Sequence, residues 1–311
     1  FHINPNEMTV ITGEIGAGKT AFVKLVADAL GVLLFYLLNL KSEKSTPEPK
    51  KMKFGWWFVI YLCSFGIMGV GNIIGLIVSA IIMLPLGFGI NDLNAAANLL
   101  TGDLSWTYII FGIFVAGIIG PILEELLFRK LFMDHFLKYG IGPAVLCSGL
   151  FFGLFHGNFS QFFYAFGLGI VLAYVYATTG KLKYTVAIHI GINILASGVM
   201  MVLLKLVDQS LINEITDLAD RYLEQMLAPE KFTQMVTALV TDNIGKFIII
   251  ILYVAFILFY YFLMFLGVVL SLIFAYKFFK FRKTLNIGVK GSKVAALFNF
   301  GTLAFYIMAI V

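Results

Sequence analysis

The sequence predicts an all-α, multi-pass transmembrane helical bundle of about seven spans, and three observations lead there. Of 311 residues, 60% are apolar and only 13% are charged, about half the charged share of a water-soluble domain. The charges gather in short segments, leaving apolar runs at 54–90, 105–128, 141–156, 160–177, 184–204, 247–276 and 294–311, most of them near the roughly 20 residues a spanning helix needs. The signs of the charges between those runs alternate as a membrane topology requires. With a mean hydropathy of +0.96, soluble enzymes, disordered chains and disulfide scaffolds are excluded.

Taken in order, Lys41, Lys44, Lys50, Lys51 and Lys53 place a basic linker, 41–53, on the cytoplasmic side. Run 54–90 crosses once, as a long tilted helix or as one span with an interfacial or re-entrant piece, to an outer loop marked by Asp92 and Asp103. Arg129, Lys130 and Lys138 mark the next inner turn, the uncharged 157–160 stretch an outer one, and Lys181 and Lys183 an inner one. Residues 205–246 hold seven acids and four bases and read as an outer segment. Within it Leu211, Ile215, Leu218, Tyr222 and Met226 recur at helical spacing until Pro229, and Phe232, Met235, Val236 and Leu239 continue the pattern, so two amphipathic helices are expected. A basic inner loop at 277–293 precedes the last run, making 247–311 a C-terminal hairpin. Cys63 and Cys147 lie inside apolar runs at no metal or redox spacing and read as small core residues. The net charge of +5 follows the inner loops, so no nucleic-acid partner is called for.

Residues 8–20 contain G-x-x-x-x-G-K-T, with Gly13, Gly18, Lys19 and Thr20 at its fixed positions. In such a loop backbone amides cradle phosphates, the lysine reaches their charge and the hydroxyl can hold Mg²⁺. The segment resembles the Walker A loop of P-loop ATPases, ATP-binding-cassette and DNA-repair enzymes among them. It is followed within about 20 residues by the apolar stretch Leu30–Leu40, with no later strand ending in a metal-binding acid. Residues 1–40 are therefore expected to be a P-loop-like fragment rather than a working nucleotide domain, and the start at Phe1 rather than Met admits a fragment or a gene fusion.

The chemistry is carried by ionisable residues placed inside the spans. Glu124, Glu125 and Arg129 occur in Pro121-Ile-Leu-Glu-Glu-Leu-Leu-Phe-Arg129, His156 ends Phe152-Gly-Leu-Phe-His, and His189 and Asn193 are four apart. A charge in mid-span costs roughly 2.5–3.5 kcal/mol on insertion scales, so these side chains must face protein or a wet cavity. Glu125 and Arg129 share a helix face and can pair, whereas Glu124 points about 100° away. A hairpin centred on Gly140 puts Glu124 and His156 at one height, in the inner half of the membrane. His156 then lies close to the supposed outer turn, so either the helix breaks at 157–160 inside a wet cavity or the helices tilt. A carboxylate beside a histidine can deprotonate water, and two donors on a facing helix can stabilise an oxyanion, which suggests peptide-bond hydrolysis.

These three elements, E-E-x-x-x-R at 124–129, F-x-x-x-H at 152–156 and H-x-x-x-N at 189–193, resemble the CAAX protease and bacteriocin-processing enzyme family of intramembrane proteases. The resemblance covers roughly 105–200 and implies a protease core at 54–204, a helical bundle whose cavity opens toward the cytosol, in a bacterial cell membrane. It implies that Glu124 activates water with His156 as partner, that His189 and Asn193 form the oxyanion site, and that Glu125, Arg129 and Phe152 support them. The implied partner is a membrane-associated peptide or protein substrate in the lipid bilayer. No cofactor is expected; the alternative is zinc held by Glu124, His156 and His189, disfavoured by the lack of an H-E-x-x-H helix. Two rival functions keep the same residues: a transporter or permease, which should show inverted repeats with paired broken helices, and a non-catalytic peptide-binding membrane protein.

Overall fold

The computed structural model describes residues 45–87, 105–157, 159–225 and 229–282, together with Leu30, Leu33 and Leu37. Within them the regular structure is helical, in eight helices: α1 Phe54–Met83, α2 Trp106–Tyr139, α3 Ile141–Leu154, α4 Phe159–Thr179, α5 Leu182–Leu206, α6 Gln209–Gln225, α7 Pro229–Asp242 and α8 Ile244–Arg282. Five of them contain stretches long and apolar enough to cross a membrane: Phe54–Ile82, Trp106–Tyr139, Gln161–Thr179, Leu182–Leu206 and Ile244–Ile273. This is an integral membrane protein built as an all-α bundle.

The expected count of about seven spans is met in part. Of run 54–90, residues 54–86 are one long helix ending in a short 3₁₀ turn at Leu84–Leu86, with a single span-length stretch at Phe54–Ile82, and 88–90 lie outside the described residues. Run 141–156 forms α3, whose 14 residues rise only ~21 Å, short of the ~30 Å hydrocarbon thickness. Run 294–311 and the phosphate-loop residues Gly13, Gly18, Lys19 and Thr20 lie outside the described residues.

The core is formed where α1, α3 and α4 pack on α2 and α5, around Phe65, Leu127, Phe132, Phe151, Leu172 and Ile188. In lipid no hydrophobic force pulls two helices together, so association depends on close backbone approach at small residues. The α1–α8 crossing shows this: a Cβ on Gly66 would sit 2.1 Å from Val268 N, and one on Gly267 2.2 Å from Leu62 O. The α2–α3 hairpin turns at Gly140, whose φ of 102° and ψ of 156° belong to a region only glycine occupies readily. That is the hairpin centre expected from the sequence.

The basic segment before α1 is fastened to the bundle. Ser45 N–H donates to Asp134 O at 2.7 Å, Lys50 N–H to Thr179 O at 2.7 Å and Met52 N–H to the Tyr184 hydroxyl at 3.1 Å. It thus crosses the end of α2, the end of α4 and the start of α5. Buried Asp134 anchors it, accepting from Tyr176 Oη at 2.8 Å and Thr46 Oγ1 at 3.1 Å and pairing with Lys130 Nζ at 2.9 Å. At the opposite end of α5 the two amphipathic helices form as expected, divided before Pro229, which opens α7 where a missing N–H is tolerated. Asp208 accepts from Ser210 N and Leu211 N at the start of α6 and pairs with Lys246 Nζ at 2.7 Å, which ties α6 to α8.

Candidate active site

The site is assembled on irregular backbone. In α2 the stretches Ile113–Ile119 and Leu126–Phe132 are π-helical and bracket Glu124 and Glu125; in α5 Ile194–Gly198 is π-helical and follows Asn193 directly. Such i→i+5 turns are concentrated at functional sites. The consequence of the first is traceable to one residue. Gly120 N–H donates five residues back, to Val115 O, so the next bond in that register would run from residue 121 to Ala116 O. Residue 121 is proline and has no N–H to give. Asn193 supplies the missing donor, its Nδ2 lying 3.0 Å from Ala116 O.

Glu124, Glu125 and Arg129 are all buried. Glu125 Oε2 pairs with Arg129 Nε at 3.0 Å, the i,i+4 pair read from the sequence. Arg129 Nη1 donates to Ser148 Oγ at 2.9 Å, and Ser148 Oγ donates to Phe128 O at 3.3 Å. The guanidinium carbon lies 4.9 Å from the Phe152 ring centroid, at cation–π distance.

His189, only 3% exposed, stands between the two carboxylates. Its Nδ1 is 3.1 Å from Glu125 Oε1 and its Nε2 is 3.6 Å from Glu124 Oε2. An ionised carboxylate only accepts, so Nδ1–H donates to Glu125 and Nε2 is turned toward Glu124. The side chains of Glu124 and Glu125 leave α2 in different directions and still reach the same ring, one from each side.

His156 lies just past the end of α3, half-buried, with Nδ1 2.8 Å from Phe152 O. The carbonyl can only accept, so Nδ1 carries the hydrogen and the neutral ring has its lone pair on Nε2. The end of α3 is closed by its own residues. Phe155 N–H bonds Phe151 O, the His156 ring bonds Phe152 O, His156 N–H bonds Gly153 O and Gly157 N–H bonds Leu154 O, with Gly157 at φ 71°. The helix ends here with Gly157 in the left-handed region, so His156 sits at a break in regular backbone.

Phe152 joins the parts. Its ring is 5.1 Å from the His156 ring, 5.5 Å from the His189 ring and under the Arg129 guanidinium. Glu124 and Glu125 thus flank His189, Arg129 pairs with Glu125, His156 adjoins them through Phe152, and Asn193 reaches the α2 backbone about two turns N-terminal of Glu124. Sequence reasoning missed Ser148. The hairpin register that sets Glu124 beside His156 sets Arg129 beside Phe151, one helical turn from Ser148, and a search for a hydroxyl opposite the buried guanidinium would have found it.

His189 and His156 each donate Nδ1–H to an acceptor, Glu125 and Phe152 O, which leaves Nε2 of each ring as the nitrogen able to act as a ligand and so does not count against a metal. Among the described residues no three His, Cys, Asp or Glu side chains are gathered as a metal-holding group. As placed, Glu124, His156 and His189 are not gathered around one point.

Fold and site together define a helical membrane protein with a buried carboxylate–histidine–guanidinium centre, and residues 105–195 match the family model described as Type II CAAX prenyl endopeptidase Rce1-like. That stretch holds every candidate residue of the site. Among curated proteins the chain is 33% identical over 82 residues to the putative membrane peptidase YdiL of Bacillus subtilis (strain 168), covering 26% of this chain and 34% of that relative. It is 25% identical over 181 residues to the membrane-embedded CAAX protease MroQ of Staphylococcus aureus (strain USA300), covering 54% of this chain and 69% of that relative. The match therefore spans about a third of the length of the first relative. No solved structure matches.

Proposed function

We propose that this protein is an intramembrane endopeptidase that hydrolyses a peptide bond of a membrane-associated peptide or protein. The observation that carries the reading is His189 held between Glu124 and Glu125, buried within the stretch matched by the peptidase family.

In the proposed reaction Glu124 takes a proton from water, with Nε2 of His156 helping to hold that water. The water oxygen bonds to the scissile carbonyl carbon, and the carbonyl π pair moves to its oxygen. His189, carrying a proton on each ring nitrogen at this step so that Nε2–H is available while Nδ1–H stays on Glu125, and the second Nδ2 hydrogen of Asn193 donate to that oxyanion. As the C–N bond breaks, Glu124 returns the proton to the leaving amine. Arg129 offsets the charge of Glu125, and Glu125 fixes the orientation of His189. The step uses only groups of this chain and leaves no net change in proton count.

The description of the matched family model and the name of the Staphylococcus aureus relative suggest the substrate class, a peptide carrying a C-terminal CAAX sequence, and the charge pattern of the loops has it presented from the cytosolic side. The test is purified protein in lipid, incubated with a membrane-anchored peptide library and with prenylated and unprenylated CAAX peptides. Cleavage should fall by about 10²–10⁴-fold in Glu124→Gln, with the variant still folded. Undiminished cleavage by that variant overturns the role of Glu124; stoichiometric zinc lost together with activity overturns the metal-free route. Solute uptake into vesicles without any cleavage would favour the transporter instead.

A further inference from the structure

The groove between the two amphipathic helices lies well away from the candidate active site. Along α5 it begins beyond Leu206, 17 residues past His189, a rise of about 26 Å. It is a cavity of about 160 Å³ lined by Leu218 and Ala219 of α6, Phe232, Val236 and Leu239 of α7, and Phe247 of α8, with no polar lining surface. With no polar group in its lining to hold water, the groove favours an apolar occupant.

Two observations say what occupies it. The groove is continuous with hydrocarbon-facing protein surface: Phe247 shares a helical face with Ile244, Ile251, Val254 and Leu258, which are 64%, 63%, 46% and 65% exposed on a span-length apolar helix. A chain lying along that stripe runs directly into the groove. The polar faces above it are acidic, with exposed Glu214, Asp217, Asp220, Glu230 and Asp242 against Lys231 among the described side chains. Amphipathic helices that bind anionic bilayers carry the opposite charge.

We infer that α6, α7 and the start of α8 form a binding site for the acyl chain of a bilayer lipid whose headgroup is zwitterionic or cationic. The hydrocarbon end enters from the α8 stripe, and the acidic helix faces exclude anionic headgroups.

The experiment uses the full chain carrying Phe247→Trp, an aromatic-for-aromatic reporter in the groove, in bilayers doped with acyl-brominated phosphatidylcholine or acyl-brominated phosphatidylglycerol. The three native tryptophans set the baseline, measured on the unsubstituted protein. The added fluorescence should be quenched by brominated phosphatidylcholine and at least about threefold less by brominated phosphatidylglycerol at low salt, the gap closing at an ionic strength of about 1 M. Phe232→Trp reads the same groove from α7 should the first variant disturb packing, and Gln234→Trp, on the polar face, should stay unquenched. The inference is overturned if the groove reporters are quenched no more than Gln234→Trp, or if the anionic lipid quenches equally at low salt. It is also overturned if the groove proves to be filled by a second copy, seen as a dimer that Leu239→Asp dissolves.

Discussion

The bond from Asn193 to Ala116 O exists because Pro121 cannot donate, and that dependence can be measured. Asn193→Ala removes a polar pair between two membrane helices, worth on average about 0.6 and at most about 1.7 kcal/mol. Pro121→Ala restores an N–H, so Ala116 O gains a backbone donor from residue 121 in the π register, or from Gly120 if the helix reverts to i→i+4. In that background the Ala116 carbonyl no longer needs Asn193, and Asn193→Ala should cost close to nothing through this bond. Wild type, both single variants and the double variant, unfolded reversibly in bicelles or mixed micelles, should give a coupling of about 1 kcal/mol, above the ~0.3–0.5 kcal/mol scatter of independent sites. Additive costs would refute the reasoning. The same four proteins separate scaffold from chemistry: if the other Nδ2 hydrogen serves the oxyanion, the double variant recovers stability while turnover stays down by about 10²–10³-fold.

Arg129→Met strands buried Glu125 and should destabilise by about 3–5 kcal/mol, whereas Arg129→Met combined with Glu125→Leu should cost less than that single change, read by thermal unfolding in detergent. Gly267→Ala drives a methyl against Leu62 O and should cost at least about 1–3 kcal/mol; Gly245→Ala, also in α8 but with open space around it, should be neutral or stabilising by up to about 1 kcal/mol. Lys246 and Ser210, with the Leu211 amide, hold the Asp208 carboxyl well below the usual carboxylate range. A carboxylate depressed in the folded state adds stability above its unfolded pKa of about 3.9 and loses it as pH falls toward its lower folded value. Protease protection of the α6–α7 segment should therefore decline below about pH 4, and Asp208→Asn should show the weaker protection already at neutral pH.

What the sequence made legible was local or periodic. The Glu125–Arg129 pair follows from i,i+4 geometry within one helix, the α2–α3 hairpin from Gly140, and α6 and α7 from apolar spacing on either side of Pro229. The family motifs, read at 124–129, 152–156 and 189–193, fall inside the matched stretch. What it hid depends on helix rotation. The π stretch at Ile113–Ile119 shifts the phase of Glu124 and Glu125 against Ala116, so spacing at 3.6 residues per turn could not show which carbonyl Asn193 reaches, and contacts between separate helices, such as His189 bracketed by both carboxylates, have no signature in spacing. The fastening of residues 45–52 rests on backbone donors, which have no signature in side-chain pattern; composition made that piece look like a tether.

The imidazole that closes α3 has little freedom to turn. Swinging the His156 ring away from Phe152 O would abandon a carbonyl at membrane depth, at about 1–3 kcal/mol, which holds the rotated state some 5- to 150-fold below the resting one. The protonated nitrogen is thus chosen by the polypeptide before any ligand arrives. A probe of ring tautomers, such as nitrogen-15 shifts, should find the δ form dominant in the ligand-free protein.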